Sequence, residues 1–328
     1  MQGRILSSNG GNYQVLIDNG EVITCKASGR LRSVRIDENT SFNIKNKNKY
    51  KTKIETAYVK ISPKAGDIVT LDIESKYILD ITPRKNEMIR PDIANVDQII
   101  LLMSAKRPDF SFYLLDLFLV NIEHQNIEAK IVVSKIDLMT EEELNTLKSE
   151  MKYYEDLGYS VFYVNSLEKD GVELVEDILH DKISVLAGQT GAGKSSFINA
   201  IMPGFELQTN EISKALNRGK HTTRVTSLYQ AYGGFLGDSP GFSKLDVSDM
   251  DDITLMQTFK EFRDCRCKFK DCLHHKNSKG CEVILEVNEG KIKKSRYENY
   301  IKMLTGREQL WKWQYQFYQL ILQMLGQN

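Results

Sequence analysis

The chain has no long hydrophobic run. Its longest uninterrupted apolar stretch is Ile99–Met103, far short of the ~20 residues that cross a bilayer as a helix. Met1–Gly10 shows no charged head followed by an apolar segment. No signal peptide or membrane partner is therefore expected, and the cytoplasm is the expected compartment. Net charge is also absent, because 44 Lys and Arg balance 44 Asp and Glu. Any polyanionic partner must then be met by a local surface, not by the molecule as a whole. Cysteine is nearly missing from the first four-fifths of the chain. Cys25 stands alone, and Cys265, Cys267, Cys272 and Cys281 crowd into 17 residues near the end. That crowding argues against a disulfide framework and for a metal.

With 328 residues and 41% hydrophobic content, the chain can build two or three domains with real cores. Its neutrality hides an asymmetry. Residues 26–64 carry 11 Lys and Arg against 3 Asp and Glu, whereas residues 137–182 carry 13 acidic residues against 4 lysines. The basic end is either a surface for a polyanion or a lysine-rich solvated face. The loop Lys45–Lys53, which alternates lysine with polar residues, allows the same two readings. Around it the sequence predicts short strands at Arg4–Ser7, Tyr13–Ile17, Glu21–Lys26, Ile68–Ile73 and Tyr77–Ile81. Asn9-Gly10-Gly11 and Asp18-Asn19-Gly20 punctuate them as tight turns. About five such strands suit a small closed barrel of the oligonucleotide-binding type.

From about residue 86 apolar strands (Gln98–Met103, Ile131–Ser134, Val161–Val164, Ile183–Ala187) alternate with helical stretches (Phe112–His124, Glu141–Leu157, Val172–His180). This rhythm predicts βαβ units and a largely parallel sheet. Gly188-Gln189-Thr190-Gly191-Ala192-Gly193-Lys194-Ser195 follows the last of these strands and opens a helix, which is the setting of a phosphate-binding loop. Its glycines let backbone N–H groups curl round a phosphate. Lys194 reaches the β- and γ-phosphates, the Ser195 hydroxyl ligates Mg²⁺, and Ser196 lies beside it at the helix start. Ser134-Lys135-Ile136-Asp137 comes earlier in the chain and resembles the guanine-reading Asn-Lys-x-Asp loop of GTPases. The Asp137 carboxylate can accept two hydrogen bonds from guanine that adenine cannot supply. Ser134 replaces the usual Asn, and its shorter side chain predicts weaker nucleotide affinity. Asn165-Ser166, after the next strand, is the second expected base-contacting loop.

Val225–Tyr232 and Phe235–Asp238 read as a hairpin about Gly233-Gly234. Asp238-Ser239-Pro240-Gly241 then supplies an Asp for Mg²⁺ through water and a Gly241 N–H for the γ-phosphate. Upstream, Gly219–Arg224 offers Thr222 or Thr223 as a second Mg²⁺ ligand, and Thr223 is counted among the catalytic residues with Lys194. Phe242 follows Gly241, where Ras-like enzymes place the glutamine that positions water, so slow unassisted hydrolysis is expected. His221 is the candidate for that task; its alternative is an ordinary surface histidine. Cys267, Cys272, His274 and Cys281 form a four-ligand set suited to structural Zn²⁺, with Cys265 and His275 as spares. The tail Leu310–Leu325 is predicted as a helix apolar on two sides.

These features resemble one family along the whole chain: the circularly permuted, ribosome small-subunit-dependent GTPase A of bacteria. The resemblance rests on Arg90-Pro91-x-Ile93-Ala94-Asn95-Val96-Asp97-Gln98, on the guanine loop preceding the phosphate loop, on His221-Thr222-Thr223 and on the Cys267/Cys272/His274/Cys281 spacing. Ser134 for Asn and Ser239 for Thr are departures. The resemblance implies an oligonucleotide-binding barrel over 1–85, a permuted α/β GTPase domain over 86–250 and a mostly helical zinc domain over 251–328. It also implies a monomer that uses GTP with Mg²⁺ and acts on the small (30S) ribosomal subunit and its 16S rRNA. A P-loop ATPase acting on RNA and a non-enzymatic RNA-binding scaffold are the competing readings.

Overall fold

The computed structural model describes residues 1–32, 34–36, 57–59, 62–88, 91–203, 226–238, 247–248 and 250–306. The lysine loop 45–53, the switch residues 219–224 and the tail 310–325 lie outside them. Two compact units emerge from backbone packing. One comprises Met1–Asp109, Gln125–Leu144 and Ser160–Lys244; the other comprises Phe110–His124, Asn145–Tyr159 and Leu245–Asn328.

The first unit begins with strands β1 (Gln2–Asn9), β2 (Asn12–Ile17), β3 (Val22–Ala27), β4 (Val34–Ile36), β5 (Ala57–Val59), β6 (Ile68–Asp72) and β7 (Tyr77–Ile81). Five of them run in the order β1-β2-β3-β7-β6, and β6 returns to pair with β1. The result is a closed barrel, while β4 and β5 form a separate antiparallel pair. Closure follows from period-two patterning, since one side chain in two points inward. Ile5, Tyr13, Val15, Ile17, Val69, Leu71 and Ile78 fill the interior.

After the short pair β8 (Glu87–Met88) and β9 (Ile93–Ala94) comes the nucleotide-type sheet. It contains β10 (Gln98–Ser104), β11 (Glu128–Ser134), β12 (Ser160–Val164), β13 (Ile183–Gly188), β14 (Ser227–Ala231) and β15 (Gly234–Asp238). Its order is β12-β11-β10-β13-β15-β14, parallel throughout except for β14. All residues of β10 are buried, as expected of a central parallel strand covered on both faces. Helices α1 (Phe112–His124), α2 (Glu141–Asp156), α3 (Val172–Leu179) and α4 (Lys194–Ile201) are spaced between the strands. Within the first unit, Val172, Val175 and Leu179 of α3 and Phe197, Ile198 and Ile201 of α4 pack against Ile100, Val132, Leu186 and Leu236.

The stretch that carries the Ile93–Gln98 motif joins barrel to sheet. Arg84 grips Asp67 through two hydrogen bonds of 2.8 Å and donates to the Ser62 carbonyl. Asn95, at φ 59°, accepts from Lys85 N and donates to the Gly66 carbonyl. A Cβ on Gly66 would lie 2.0 Å from the Ala94 carbonyl oxygen, so only glycine fits. Asp97 accepts the N–H of Ile183, the first residue of β13, at 2.8 Å. Buried Gln98 bonds Ile178 O and Ser184 Oγ. The motif is thus a joint between the barrel and the strand that leads to the phosphate loop. A second join is made where β1 pairs antiparallel with β14 at Ser7 and Ser227.

The second unit gathers α1 and most of α2 with the C-terminal elements α5 (Asp252–Gln257), the 3-10 turn Lys260–Phe262, α6 (Glu282–Asn288) and the helical residues 294–306. Asp251 caps α5 by accepting from Thr254 N. Its apolar core includes Leu255, Phe259, Phe262, Val283, Tyr300 and Leu304. Arg296 crosses that core, 1% exposed, and donates to Asp116 and Glu261. Asp116 also accepts from Tyr154 at 2.8 Å and from Asn299 at 2.7 Å. Among the described residues no helix is long and apolar enough to cross a membrane.

Candidate nucleotide site and metal cluster

Register places the expected loops on one edge. Leu102 of β10 pairs with Gly188, Ser104 with Ser134, Ser134 with Val164, and Leu186 with Asp238. The phosphate loop, the guanine loop, Asn165-Ser166 and the Asp238 backbone therefore all leave the carboxyl ends of adjacent parallel strands. This edge is where open α/β sheets bind ligands.

The phosphate loop holds its shape through glycine. Gly191 and Gly193 take φ of 79° and 87°. A Cβ on Gly188, at φ 147°, would come within 2.1 Å of the Leu102 carbonyl oxygen. Gly193 is the N-cap of α4 and supplies no side-chain cap, so the first-turn N–H groups remain for an anion. Lys194 Nζ folds back onto the carbonyls of Gly188 and Gln189 at 2.8 and 2.9 Å. Thr190, Ser195 and Ser196 are exposed, Ala192 is buried, and the buried Gln189 Nε2 has no hydrogen-bond partner among the described residues. Backbone donors at the start of α4, beside a lysine that donates to two loop carbonyls, fit a polyphosphate with its Mg²⁺.

The guanine loop is fixed from two sides. Buried Ser134 donates through Oγ to the Ala192 carbonyl at 2.6 Å. The shorter side chain thus still reaches and braces the phosphate loop. Lys135, at φ 59°, donates to the carbonyls of both Gly191 and Arg107, and its stem passes 3.6 Å from where a Gly193 Cβ would stand. Asp137 sits exposed in the 3-10 turn Ile136–Leu138. Asn165 Oδ1 accepts from Leu167 N and, more weakly, Glu168 N, so its carbonyl shapes its own loop. Ser166 is half-buried beside it. Asp238 ends β15. His221, Thr222, Thr223, Gly241 and Phe242 lie outside the described residues.

Sequence reasoning missed the β10 loop. Ala105 N donates to Ser134 O at 2.9 Å, and Pro108 packs against Gly191, with its Cδ 3.3 Å from where a glycine-replacing Cβ would stand. Lys106 is neutralised by Glu143. No motif marks this loop. The available signal is its place after the strand between β11 and β13.

In the second unit Cys267, Cys272, His274 and Cys281 bring their ligand atoms within 4.8 Å of one another. Cys267 and Cys281 sulfurs are 3.7 Å apart, and His274 Nδ1 lies 3.5 and 3.3 Å from them. Two metal–sulfur bonds of ~2.3 Å at the tetrahedral angle span about 3.8 Å, so the cluster has the size of a closed four-ligand site. Burial pushes the Cys281 thiol up to about 12 and the His274 imidazole down to about 4. The neutral imidazole is the form that ligates, and a cation would draw off the thiol protons. Cys265 turns away to Glu286, 3.2 Å distant, and His275 is exposed; neither joins the set.

The permuted strand order, the phosphate loop and the guanine loop define a circularly permuted GTPase. The family model described as RsgA GTPase matches residues 81–248. A relative from Halalkalibacterium halodurans, named small ribosomal subunit biogenesis GTPase RsgA, is 47% identical over 74% of this chain and 84% of its own. The protein of the same name from Bacillus subtilis is 38% identical over 93% of this chain and 96% of its own. The crystal structure of YjeQ from Thermotoga maritima superposes with a TM-score of 0.73 at 32% identity, covering 93% of this chain and 98% of that one. YloQ, described as a circularly permuted GTPase, gives 0.71 at 31% identity over 94% and 95%. The chain belongs to the RsgA GTPase family.

Proposed function

We propose that this chain acts in late maturation of the small (30S) ribosomal subunit, binding the subunit and its 16S rRNA in the GTP state and leaving after subunit-stimulated hydrolysis. The observation that carries the reading is the nucleotide edge in permuted order, within a chain aligned over most of its length with proteins named for small-subunit biogenesis. Asp137 reads guanine, and the Lys135 stem covers the base. Gly191–Ser195 backbone N–H groups hold the phosphates, and Lys194 exchanges two carbonyls for the β- and γ-phosphates. Ser195, with Thr222 or Thr223, and Asp238 through water would hold Mg²⁺, which neutralises charge developing on the phosphates. His221 is the group proposed to orient water; Phe242 cannot, so turnover without a partner is slow. Asn165 and Ser166 complete the base pocket, and the Gly241 N–H meets the γ-phosphate.

Three modules carry this out: a barrel over 1–85, the GTPase domain over 86–250 and a zinc domain over 251–328. The excess of basic residues between 26 and 64 supports RNA binding by the barrel. Zinc at Cys267, Cys272, His274 and Cys281 is structural, because all four positions are taken by protein. The protein is a cytoplasmic monomer in this reading.

Turnover measured with and without purified small subunits tests the function. Stimulation of about 10³–10⁵-fold is the range open to partner-assisted GTPases; identical rates would sink the proposal, and a preference for ATP would favour an RNA-dependent ATPase. Elemental analysis of the purified chain should return one zinc per molecule, lost in Cys281→Ser; a metal-free folded protein would refute the zinc assignment.

A further inference from the structure

The phosphate loop and the guanine loop meet at one corner of this edge, and a third loop is built into it. Residues 105–108 leave β10 between the strands that carry the guanine and phosphate loops. Their course is fixed at every step: Ala105 N bonds Ser134 O, Ser104 Oγ donates to Lys106 O at 2.6 Å, and Lys106 pairs with Glu143. Lys135 Nζ ties the Arg107 carbonyl and the Gly191 carbonyl to one ammonium group. The next residue, Pro108, lies against Gly191.

Arg107 is held there at φ 53°, in the left-handed region that a side chain rarely adopts. Such strain persists where surrounding bonds over-determine it, and it gathers at ligand clamps. Its side chain is exposed and makes no ion pair or hydrogen bond among the described residues. The other cations in this corner are committed, Lys106 to Glu143 and Lys135 to two carbonyls. Arg107 is thus a long cationic side chain, without a partner among the described residues, anchored next to Gly191 of the phosphate loop. Guanidinium suits phosphate because its planar fork donates two parallel hydrogen bonds.

We propose that Arg107 is a second phosphate-contacting cation of the guanine-nucleotide site, delivered by the β10 loop alongside Lys194. The inference rests on the reading of this edge as a GTP site. The contact strengthens nucleotide binding through the phosphates and leaves recognition of the base to Asp137.

Equilibrium binding of a fluorescent GDP, with guanosine as a phosphate-free competitor, tests it on the full-length chain. Arg107→Ala should weaken GDP about tenfold or more, the effect of a lost charge-assisted hydrogen bond. Guanosine binding and melting temperature should stay unchanged, and Arg107→Lys should recover part of the loss. Unchanged GDP binding by Arg107→Ala, with the wild type binding normally, overturns the inference alone. An equal loss for guanosine also overturns it, since Arg107 would then act by shaping the loop. A wild type that binds no guanine nucleotide overturns the GTP reading and the inference with it.

Discussion

Lys194→Ala will lose measurable GTP hydrolysis and most GTP binding while remaining folded. In the structure the ammonium rests on two loop carbonyls, from Gly188 and Gln189. Those bonds are between a charge and neutral acceptors on a half-buried loop, so removing them costs little stability. The phosphate contacts that replace them are different in kind. Deleting one charge-stabilising donor from a transition state typically costs about 10²–10³-fold in rate, and in the proposed mode of binding the same group also anchors the ground state. Rates from phosphate release, affinities from fluorescent GDP and a thermal melt separate the two effects. Wild-type turnover in Lys194→Ala would mean that the loop does not hold the reacting phosphates.

The second large effect is on stability. Arg296→Ala should destabilise the second unit by about 3–5 kcal/mol, the usual cost of removing one partner from a buried ion pair. Burial alone lowers the Arg296 pKa, but the carboxylates of Glu261 and Asp116 outweigh it and hold the guanidinium well above its ordinary value. Asp116 is pushed up by its own burial, offset in part by Arg296, Asn299 and Tyr154. Without the arginine, two carboxylates share an apolar core and neither has a counter-charge among the described residues. The sign of the pH dependence follows. A carboxyl raised in the folded state contributes stability below its ordinary value of 3.8 and loses it as pH rises through the folded value. The deficit of Arg296→Ala should therefore be smallest in acid and grow toward neutrality. Denaturant melts at several pH values check this; a deficit that is equally large at low pH would assign the cost to lost packing.

How much of this was visible in the sequence depends on the range of the interaction. The phosphate loop is local, its glycines fixed by backbone shape over eight residues, and it stands where the spacing placed it. The βαβ rhythm likewise gave β10 through β13, because buried parallel strands are written as continuous apolar runs. Ser134 shows the opposite case. Residue type alone does not reveal that its hydroxyl, buried against Ala192 O, braces the loop at shorter reach than an asparagine. Asn165 stands in the loop expected to contact the base, and the bonds its carbonyl makes within that loop are equally invisible in the sequence. The Arg296–Asp116 pair spans 180 residues, and nothing in composition marks either residue as buried. For the same reason packing groups residues 110–124 and 145–159 with the C-terminal segment, a division that follows core contacts and not chain order.

The pairing of β1 with β14 has a consequence for solubility. An open sheet has two margins of unsatisfied N–H and C=O groups, each a template for another chain. Here the margin at β14 meets the barrel at Ser7 and Ser227, and the barrel closes on itself through β6. Among the described residues, β12 is the terminal strand at the other end of this sheet. A chain cut down to its nucleotide-binding portion would expose the backbone of Ser227 that β1 now pairs, adding to the edge open to another chain.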